Sequence, residues 1–144
     1  MKIVYNEKII GFMYVNISKE SKIVQLDYFA IFKEYREHGY GKKAINALIE
    51  MFKNYSGIYI EIEKIGLGDD ELENLNRERR ARFYNSIGFK RLDFDIELFK
   101  VIYTPYFFFI DYTYDKNKFI EEILQIYYSI TPKYIFDKNF KILD

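Results

Sequence analysis

The sequence of 144 residues contains no cysteine and a single histidine, His38. Disulfides, thiolate nucleophiles and cysteine-ligated metals are therefore excluded, and one imidazole is too few for a histidine-rich metal site. No apolar run approaches the roughly 18 residues that a membrane helix requires. The N-terminal stretch "MKIVYNEKIIGF" is interrupted by charged residues, unlike a signal peptide. We therefore expect a soluble cytoplasmic protein with neither a metal site nor a membrane partner.

An excess of either charge is also missing, because 22 Lys and Arg residues balance 22 Asp and Glu residues. Binding to nucleic acid requires a concentrated basic face that displaces counterions from phosphates, so we expect no nucleic-acid partner. Hydrophobic residues make up 49% of the chain and aromatic residues 20%, which is typical of an ordered globule. The length suits one domain, residues 1–144.

The first half of the chain carries strand patterns around one helical pattern. Two β-rich runs, "KIVY" and "IIGFMYV", are joined by "NEK" and predict a hairpin. The continuous run "IVQLDYFAIF" predicts a central strand over residues 23–31, and apolar spacing predicts a helix from about 40 to 54. The alternation in "GIYIEIE" predicts another strand, with its isoleucines on one face and Tyr59, Glu61 and Glu63 on the other.

The second half begins with a polar, glycine-bearing stretch, "KIGLGDDELENLN", which we interpret as a loop with room for a short turn of helix. A helix over about 76–86 is predicted to end at Gly88 in a left-handed C-cap. The alternating residues 92–98 and a β-rich run from Pro105 to about Tyr114 predict a second hairpin. A last helix is capped by Asp115 and stopped by "TP" at 131–132. This order predicts an α/β (α+β) fold with a mixed, mostly antiparallel twisted sheet flanked by helices.

Two glycines, Gly39 and Gly41, stand at the start of the first predicted helix. The first amides of a helix have no internal acceptor and carry partial positive charge, so they suit an anion. Bare glycine backbone would let phosphate oxygens reach these amides, and Arg36, Lys42 and Lys43 add positive charge. A tight strand-to-helix turn, in which the glycines only satisfy backbone geometry, is the alternative interpretation.

The segment "LDYFAIFKEYREHGYGKKAI" resembles the central motif of the GCN5-related N-acetyltransferases, a strand followed by [QR]xxGx[GA] and a helix. The resemblance implies that the turn wraps the pyrophosphate of acetyl-CoA and that the preceding strand pairs with its pantetheine arm. The pyrophosphate residues would be Arg36, Glu37, His38, Gly39, Tyr40, Gly41 and Lys42. The pantetheine residues would be Phe29, Ala30 and Ile31. The His38 side chain is expected to point to solvent.

A second segment, "RFYNSIGFKRL", is similar to the late motif of the same family, FYxxxGF. The resemblance implies that Tyr84 lies near the thioester sulfur and protonates the departing thiolate. The asparagine that the family often carries seven residues before this tyrosine is Arg77 here, with Asn76 one position early. We therefore count Asn76 and Arg80 among the expected cofactor-binding residues, with Arg79 beside them.

Acetyl transfer to an amine needs a group that accepts the nitrogen's proton, and no covalent nucleophile. Glu61 is the first candidate base, because strand alternation places it away from the isoleucines and the resemblance places it near the thioester. Glu63, Asp27 or a water molecule are the alternatives. A solvated surface glutamate with no chemical role is the competing interpretation.

The resemblance implies an acetyl-CoA-dependent N-acetyltransferase that acts on a small amine or on a peptide or protein. Its fold would be the acyl-CoA N-acyltransferase fold with a shortened N-terminus. The alternatives are a catalytically inactive module that binds CoA or a partner, and a structural protein with a fortuitous turn. The aromatic tail, residues 101–144, is interpreted as an acceptor pocket, a homodimer face or plain core.

Overall fold

The computed structural model describes all of residues 1–144. The strands are β1 (Lys2–Tyr5), β2 (Lys8–Ile17), β3 (Ile23–Ile31), β4 (Gly57–Glu63), β5 (Lys90–Arg91), β6 (Asp95–Leu98), β7 (Val101–Phe109) and β8 (Phe140–Leu143). The helices are α1 (Tyr40–Met51), α2 (Glu71–Ile87), α3 (Lys116–Ile130) and α4 (Lys133–Lys138), with a 3₁₀ turn at Lys33–Tyr35. No helix combines the length and the apolar character that a membrane crossing demands.

The strands form one sheet in the order β1-β2-β3-β4-β7-β6-β8, and β5 pairs with β7 beside β6. Every pair is antiparallel except β3 with β4. The predicted mixed, mostly antiparallel sheet is therefore confirmed. Asn6 and Glu7 both have positive φ, as the two-residue turn of the predicted N-terminal hairpin requires.

The second hairpin differs from its prediction. Strand β7 begins at Val101, ends at Phe109 and contains Pro105 in its interior, so the predicted span from Pro105 to Tyr114 is wrong. The Pro105 carbonyl accepts from the Leu92 amide, which shows that this edge of Pro105 faces the break between β5 and β6. A missing N–H costs little there, because no continuous strand lies opposite.

Two apolar layers cover the two faces of the sheet. Ile58, Ile60 and Ile62 of β4 pack with residues of α1 and α2 on one face. The opposite layer contains Tyr59, Phe107, Phe119, Ile123, Ile126, Tyr127 and Phe136, contributed by β4, β7, α3 and α4. The aromatic tail is thus a packed core in this structure. The alternation predicted for β4 is confirmed, and both of its faces are covered.

The helix boundaries depend on caps that periodicity alone does not reveal. Helix α2 begins at Glu71 rather than at 76, because the Asp70 carboxylate accepts from the Glu73 amide at 2.8 Å and satisfies a free donor of the first turn. It ends before Gly88, whose φ is 122°, as predicted. Helix α1 ends at Met51 rather than at 54.

The C-terminal segment contains more structure than the sequence predicts. Asp115 caps α3 as expected, since its carboxylate accepts from the Lys118 amide at 2.9 Å. Pro132 ends α3 but does not end the fold, because α4 follows it directly and β8 then pairs with β6. The phenylalanine of α4, Phe136, is fully buried and holds this segment against α3.

The one parallel pair in the sheet is very short. Ile23–Gln25 of β3 pairs with Gly57–Tyr59 of β4, and the two strands then separate. A bulge accompanies the separation, because the register of β2 against β3 passes from Val15 opposite Leu26 to Tyr14 opposite Tyr28 and leaves Asp27 unpaired. The strands therefore border a gap in the middle of the sheet, beyond Gln25 and Tyr59.

We expect Gly57→Ala to destabilise the fold by about 1–3 kcal/mol, since a methyl at this position would overlap the Phe107 ring and the Phe108 carbonyl. Urea denaturation followed by circular dichroism measures the change. Gly41→Ala is the control, because its methyl would meet the Phe83 ring at 3.5 Å, an ordinary contact. Equal stabilities for wild type and Gly57→Ala would contradict the packing described here.

Candidate active site

A cavity of about 740 Å³ lies where β3 ends and α1 begins. Its volume is in the range of small-molecule and cofactor sites. Three elements contribute to its walls: the end of β3 with the turn that follows, the first residues of α1, and the middle of α2. The lining residues are Tyr28, Phe29, Ala30, Ile31, Tyr35, Arg36, Glu37, Gly39, Tyr40, Gly41, Lys42, Arg79, Arg80, Phe83 and Tyr84.

The turn into α1 presents a continuous row of free donors to this cavity. The first backbone amide of the helix that donates within the chain is that of Lys43, to the Gly39 carbonyl at 3.2 Å. The amides from Glu37 to Lys42 donate to no acceptor of the chain. Such a row of unpaired N–H groups at a helix N-terminus is suited to an anion with several oxygens.

Glycine is suited to positions 39 and 41 of the turn for two different physical reasons. Gly39 has φ 78°, so its left-handed backbone favours glycine irrespective of any ligand. Gly41 lies within α1, and a methyl there would make only ordinary contacts, to Phe83 at 3.5 Å and Phe29 at 3.7 Å. Both rings line the cavity, so that methyl would project into it. The fold does not require glycine at 41, whereas close approach of a ligand to the backbone would.

The charged residues of the cavity lining are predominantly cationic. Arg36, Lys42, Arg79 and Arg80 face a single acidic side chain, Glu37. Arg36 also donates from Nε to the Ile31 carbonyl at 2.8 Å, which fixes the turn against the end of β3. Like charges placed this close together repel one another, so the lining favours an anionic ligand over an empty cavity.

Helix α2 supplies the aromatic wall. Phe83 is stacked on Phe29 across the cavity, with ring centroids 6.3 Å apart. Tyr84 packs edge-on against Phe83 and Phe89, at 5.0 and 5.2 Å. Burial raises the pKa of Tyr84 to about 12, and the nearby Arg80 guanidinium opposes that rise. The Tyr84 hydroxyl therefore keeps its proton at neutral pH and can donate it to an anion in the cavity.

Glu61 lies on the other face of the sheet, in the part of β4 that borders the gap. Its Oε1 accepts from the Tyr59 hydroxyl at 2.7 Å. Burial raises its pKa to about 7, the hydrogen bond from Tyr59 lowers it, and the negative charge of Asp27 raises it further. A carboxyl group that titrates near neutral pH is suited to accept a proton under physiological conditions.

Glu63, the alternative candidate, is engaged in an ion pair. Its Oε2 lies 2.6 Å from the Arg77 guanidinium, which also pairs with Glu73 at 2.8 Å and donates to the Lys64 carbonyl at 2.7 Å. Arg77 is buried and does not line the cavity. It connects α2 to the end of β4 rather than contributing to the cationic wall.

The structure brings most of the sequence-predicted residues together. All expected pyrophosphate and pantetheine residues line the cavity except His38, which is exposed and lies beside the Tyr40 ring with centroids 5.9 Å apart. Arg80 and Tyr84 line it, whereas Asn76 is exposed and does not. Tyr28, Tyr35 and Phe83 also line the cavity, although they are not among the predicted site residues. The signal that identifies Phe83 is its place in the FYxxxGF segment, directly before Tyr84.

Comparison with known proteins identifies the kind of domain. A family model described as "Acetyltransferase (GNAT) domain" matches residues 3–91, more than half of the chain. No curated protein sequence matches the chain significantly.

Several solved structures share the fold. A structure described as a GNAT-family acetyltransferase from Bacteroides thetaiotaomicron has a TM-score of 0.67 and 22% identity, over 89% of this chain and 69% of that one. A structure named as a streptothricin acetyltransferase from Bacillus anthracis, in complex with acetyl coenzyme A, has a TM-score of 0.56 and 21% identity. The match covers 75% of this chain and 60% of that one. A structure of an aminoglycoside 6'-N-acetyltransferase complexed with coenzyme A has a TM-score of 0.59 and 15% identity. The match covers 79% of this chain and 73% of that one. The chain thus spans 60% to 73% of the length of these structures.

The raised pKa of Glu61 predicts a pH-dependent effect on stability. Its pKa is about 7 in the folded protein against an ordinary 4.5, so folding favours the protonated form. The contribution of this group to stability is complete below pH 4.5 and lost as the pH rises through 7. We expect Glu61→Gln to raise the melting temperature at pH 8 and to change it little at pH 4. Thermal unfolding across this range, with Glu34→Gln as an exposed control, measures the effect; a pH-independent difference would contradict it.

Proposed function

Because the chain belongs to the GNAT family of acetyltransferases, we propose that it transfers the acetyl group of acetyl-CoA directly to a primary amine. The observation that carries the proposal is the row of free amides from Glu37 to Lys42 at the mouth of a cationic cavity. A pyrophosphate offers several anionic oxygens to such a row, and a thioester attached to it would extend toward the gap between β3 and β4.

In this proposal the donor occupies the cavity on the α1 and α2 face. The amides of the turn bind the pyrophosphate, and Arg36, Lys42, Arg79 and Arg80 surround its charges. The pantetheine arm runs along Phe29–Ile31, where the edge of β3 toward β4 has no strand partner and can bond to amides of the ligand. The Ile31 carbonyl is the exception, because it already accepts from Arg36. Arg80 thus joins the binding residues, and Asn76, outside the cavity, is the weakest of the expected ones.

The transfer step needs no covalent intermediate with the protein. The amine nitrogen attacks the thioester carbonyl carbon, the C–N bond forms and the C–S bond breaks. The Tyr84 hydroxyl gives its proton to the departing thiolate, and Glu61 accepts the proton that the nitrogen loses. The protonated state of Tyr84 and the near-neutral pKa of Glu61 both suit these roles at physiological pH. Asp27, exposed in its bulge, is close enough to influence Glu61 and could replace it.

The acceptor approaches from the opposite face of the sheet in this proposal. Asp27 and Glu61 provide negative charge there, which attracts an amine in its ammonium form. Tyr14 and Tyr28, neighbours on β2 and β3, each keep 59% of their surface exposed. Tyr28 also lines the donor cavity, so it stands where the two substrates would meet. A small amine and the amino group of a peptide or protein would both meet these features.

The homodimer and the cytoplasmic location expected from the sequence stay predictions.

We expect Gly41→Glu to weaken acetyl-CoA binding about tenfold or more, because the new carboxylate would enter the cavity beside the free amides. Isothermal titration calorimetry with CoA measures the dissociation constant. Asn46→Glu, an exposed substitution within α1, is the matched control for added charge. Unchanged affinity in Gly41→Glu would remove the observation on which the assignment rests.

We expect Tyr84→Phe to lower kcat roughly 100-fold while leaving the affinity for acetyl-CoA nearly unchanged, since only the proton donor is lost. Thiol release from acetyl-CoA with a panel of amines and basic peptides measures turnover, and calorimetry measures binding. Full turnover in Tyr84→Phe would remove this tyrosine from the chemistry. Wild-type protein that binds acetyl-CoA but acetylates no amine would favour an inactive binding module instead.

A further inference from the structure

Tyr59 and Glu61 form a pair of side chains two residues apart on one face of β4. The Tyr59 side chain is completely buried, and its ring packs edge-on against Phe119 of α3 at 5.6 Å. Its hydroxyl donates to Glu61 Oε1 at 2.7 Å. The Tyr127 hydroxyl of α3 makes a longer contact with it, at 3.4 Å. Glu61 therefore receives the main hydrogen bond of a tyrosine that the core holds in place.

The sheet register places this pair at the edge of the gap. Tyr59 lies opposite Gln25 in the last parallel pair of β3 and β4. Glu61, two residues further on, lies opposite Pro105 in the register of β4 with β7 but has no partner on β3. The Tyr59 hydroxyl thus connects the buried, paired part of β4 to the Glu61 carboxylate, which lies beside the gap.

We propose that Tyr59 is a positioning residue that holds the Glu61 carboxylate in one orientation beside the gap, ready to accept the proton of the acceptor amine. This inference rests on the proposed function, because it assumes that Glu61 acts as the base. A buried tyrosine hydroxyl needs a partner, and a carboxylate is the strongest acceptor available to it. The bond restricts the rotamers of Glu61, which a solvated glutamate on a strand would sample freely.

The same bond also affects the charge of the carboxylate. Burial and the negative charge of Asp27 disfavour its ionised form, and the hydrogen bond from Tyr59 favours it. Without the bond, a larger share of Glu61 would be protonated at neutral pH and unable to accept a proton. The titratable or charged groups that surround this pair are Asp27 of β3, Glu63 of β4, Tyr103 of β7, Arg77 of α2 and Tyr127 of α3.

Tyr59→Phe tests the inference, since it removes the hydroxyl and retains the ring that packs on Phe119. We expect the titration midpoint of Glu61 to move to higher pH and the acid limb of kcat/KM against pH to move with it. At pH 6.5 turnover should fall about tenfold, while the KM for acetyl-CoA stays unchanged. Carbon-13 NMR of the glutamate carboxyl groups measures the midpoint without substrate, with the Glu61 signal assigned by its loss in Glu61→Gln.

Tyr127→Phe is the matched control, because it removes the other hydroxyl near Tyr59 but leaves the bond to Glu61 intact. The inference is overturned if Tyr59→Phe leaves the NMR midpoint in place, if Tyr127→Phe moves it equally, or if the midpoint moves and the kcat/KM profile does not. Wild-type protein that acetylates no amine would overturn the proposed function instead, and the NMR midpoint would still decide whether Tyr59 controls Glu61.

Discussion

The separation of β3 from β4 beyond Gln25 is the constraint on which the candidate site depends. Each strand keeps its other neighbour, β2 for β3 and β7 for β4, so both hold their shape although they no longer pair with one another. Backbone groups left unpaired inside a fold must find partners elsewhere. The gap therefore creates both the space for a ligand and the hydrogen-bonding groups that a ligand can satisfy.

The two faces of this gap carry opposite charge. The cavity on the α1 and α2 side is lined by four cationic side chains and a row of amides, whereas Asp27 and Glu61 stand on the other side. An anionic donor and a cationic acceptor would each be attracted to its own side and repelled from the other. Electrostatics would then favour a different side of the gap for each substrate.

The sequence predicted those parts of the fold that local patterns determine. Alternation in β4, the continuous run of β3 and the glycines before α1 are local signals, and the structure has each element where they indicate. The start of α2 was missed because a side-chain cap, Asp70, extends the helix into a polar stretch that looks like a loop. The start of β7 differs from its prediction because Pro105 lies opposite the break between β5 and β6, a feature that the alternation of residues 92–98 does not reveal.

In the candidate site, too, residues within local motifs could be predicted, whereas contacts that the tertiary fold creates could not. The turn and Tyr84 lie in contiguous motifs, so they could be predicted together with the cavity that they line. The hydrogen bond from Tyr59 to Glu61 could not be predicted. Strand alternation shows that the two residues share a face of β4, but it does not show that α3 covers Tyr59 and leaves Glu61 as the good acceptor for its hydroxyl. The buried position of Arg77 likewise depends on Glu63, which only the packing of α2 on β4 brings to it, whereas Glu73 lies one turn away on the same helix.

That cluster around Arg77 has a consequence for the cavity wall. The buried guanidinium would lose its bonds to Glu63 and to the Lys64 carbonyl if α2 slid or tilted against β4, so these bonds oppose such a movement. The wall that carries Phe83 and Tyr84 is thereby fixed before any ligand arrives. Association would then spend little free energy on ordering this wall, and more of the contact energy would remain as affinity.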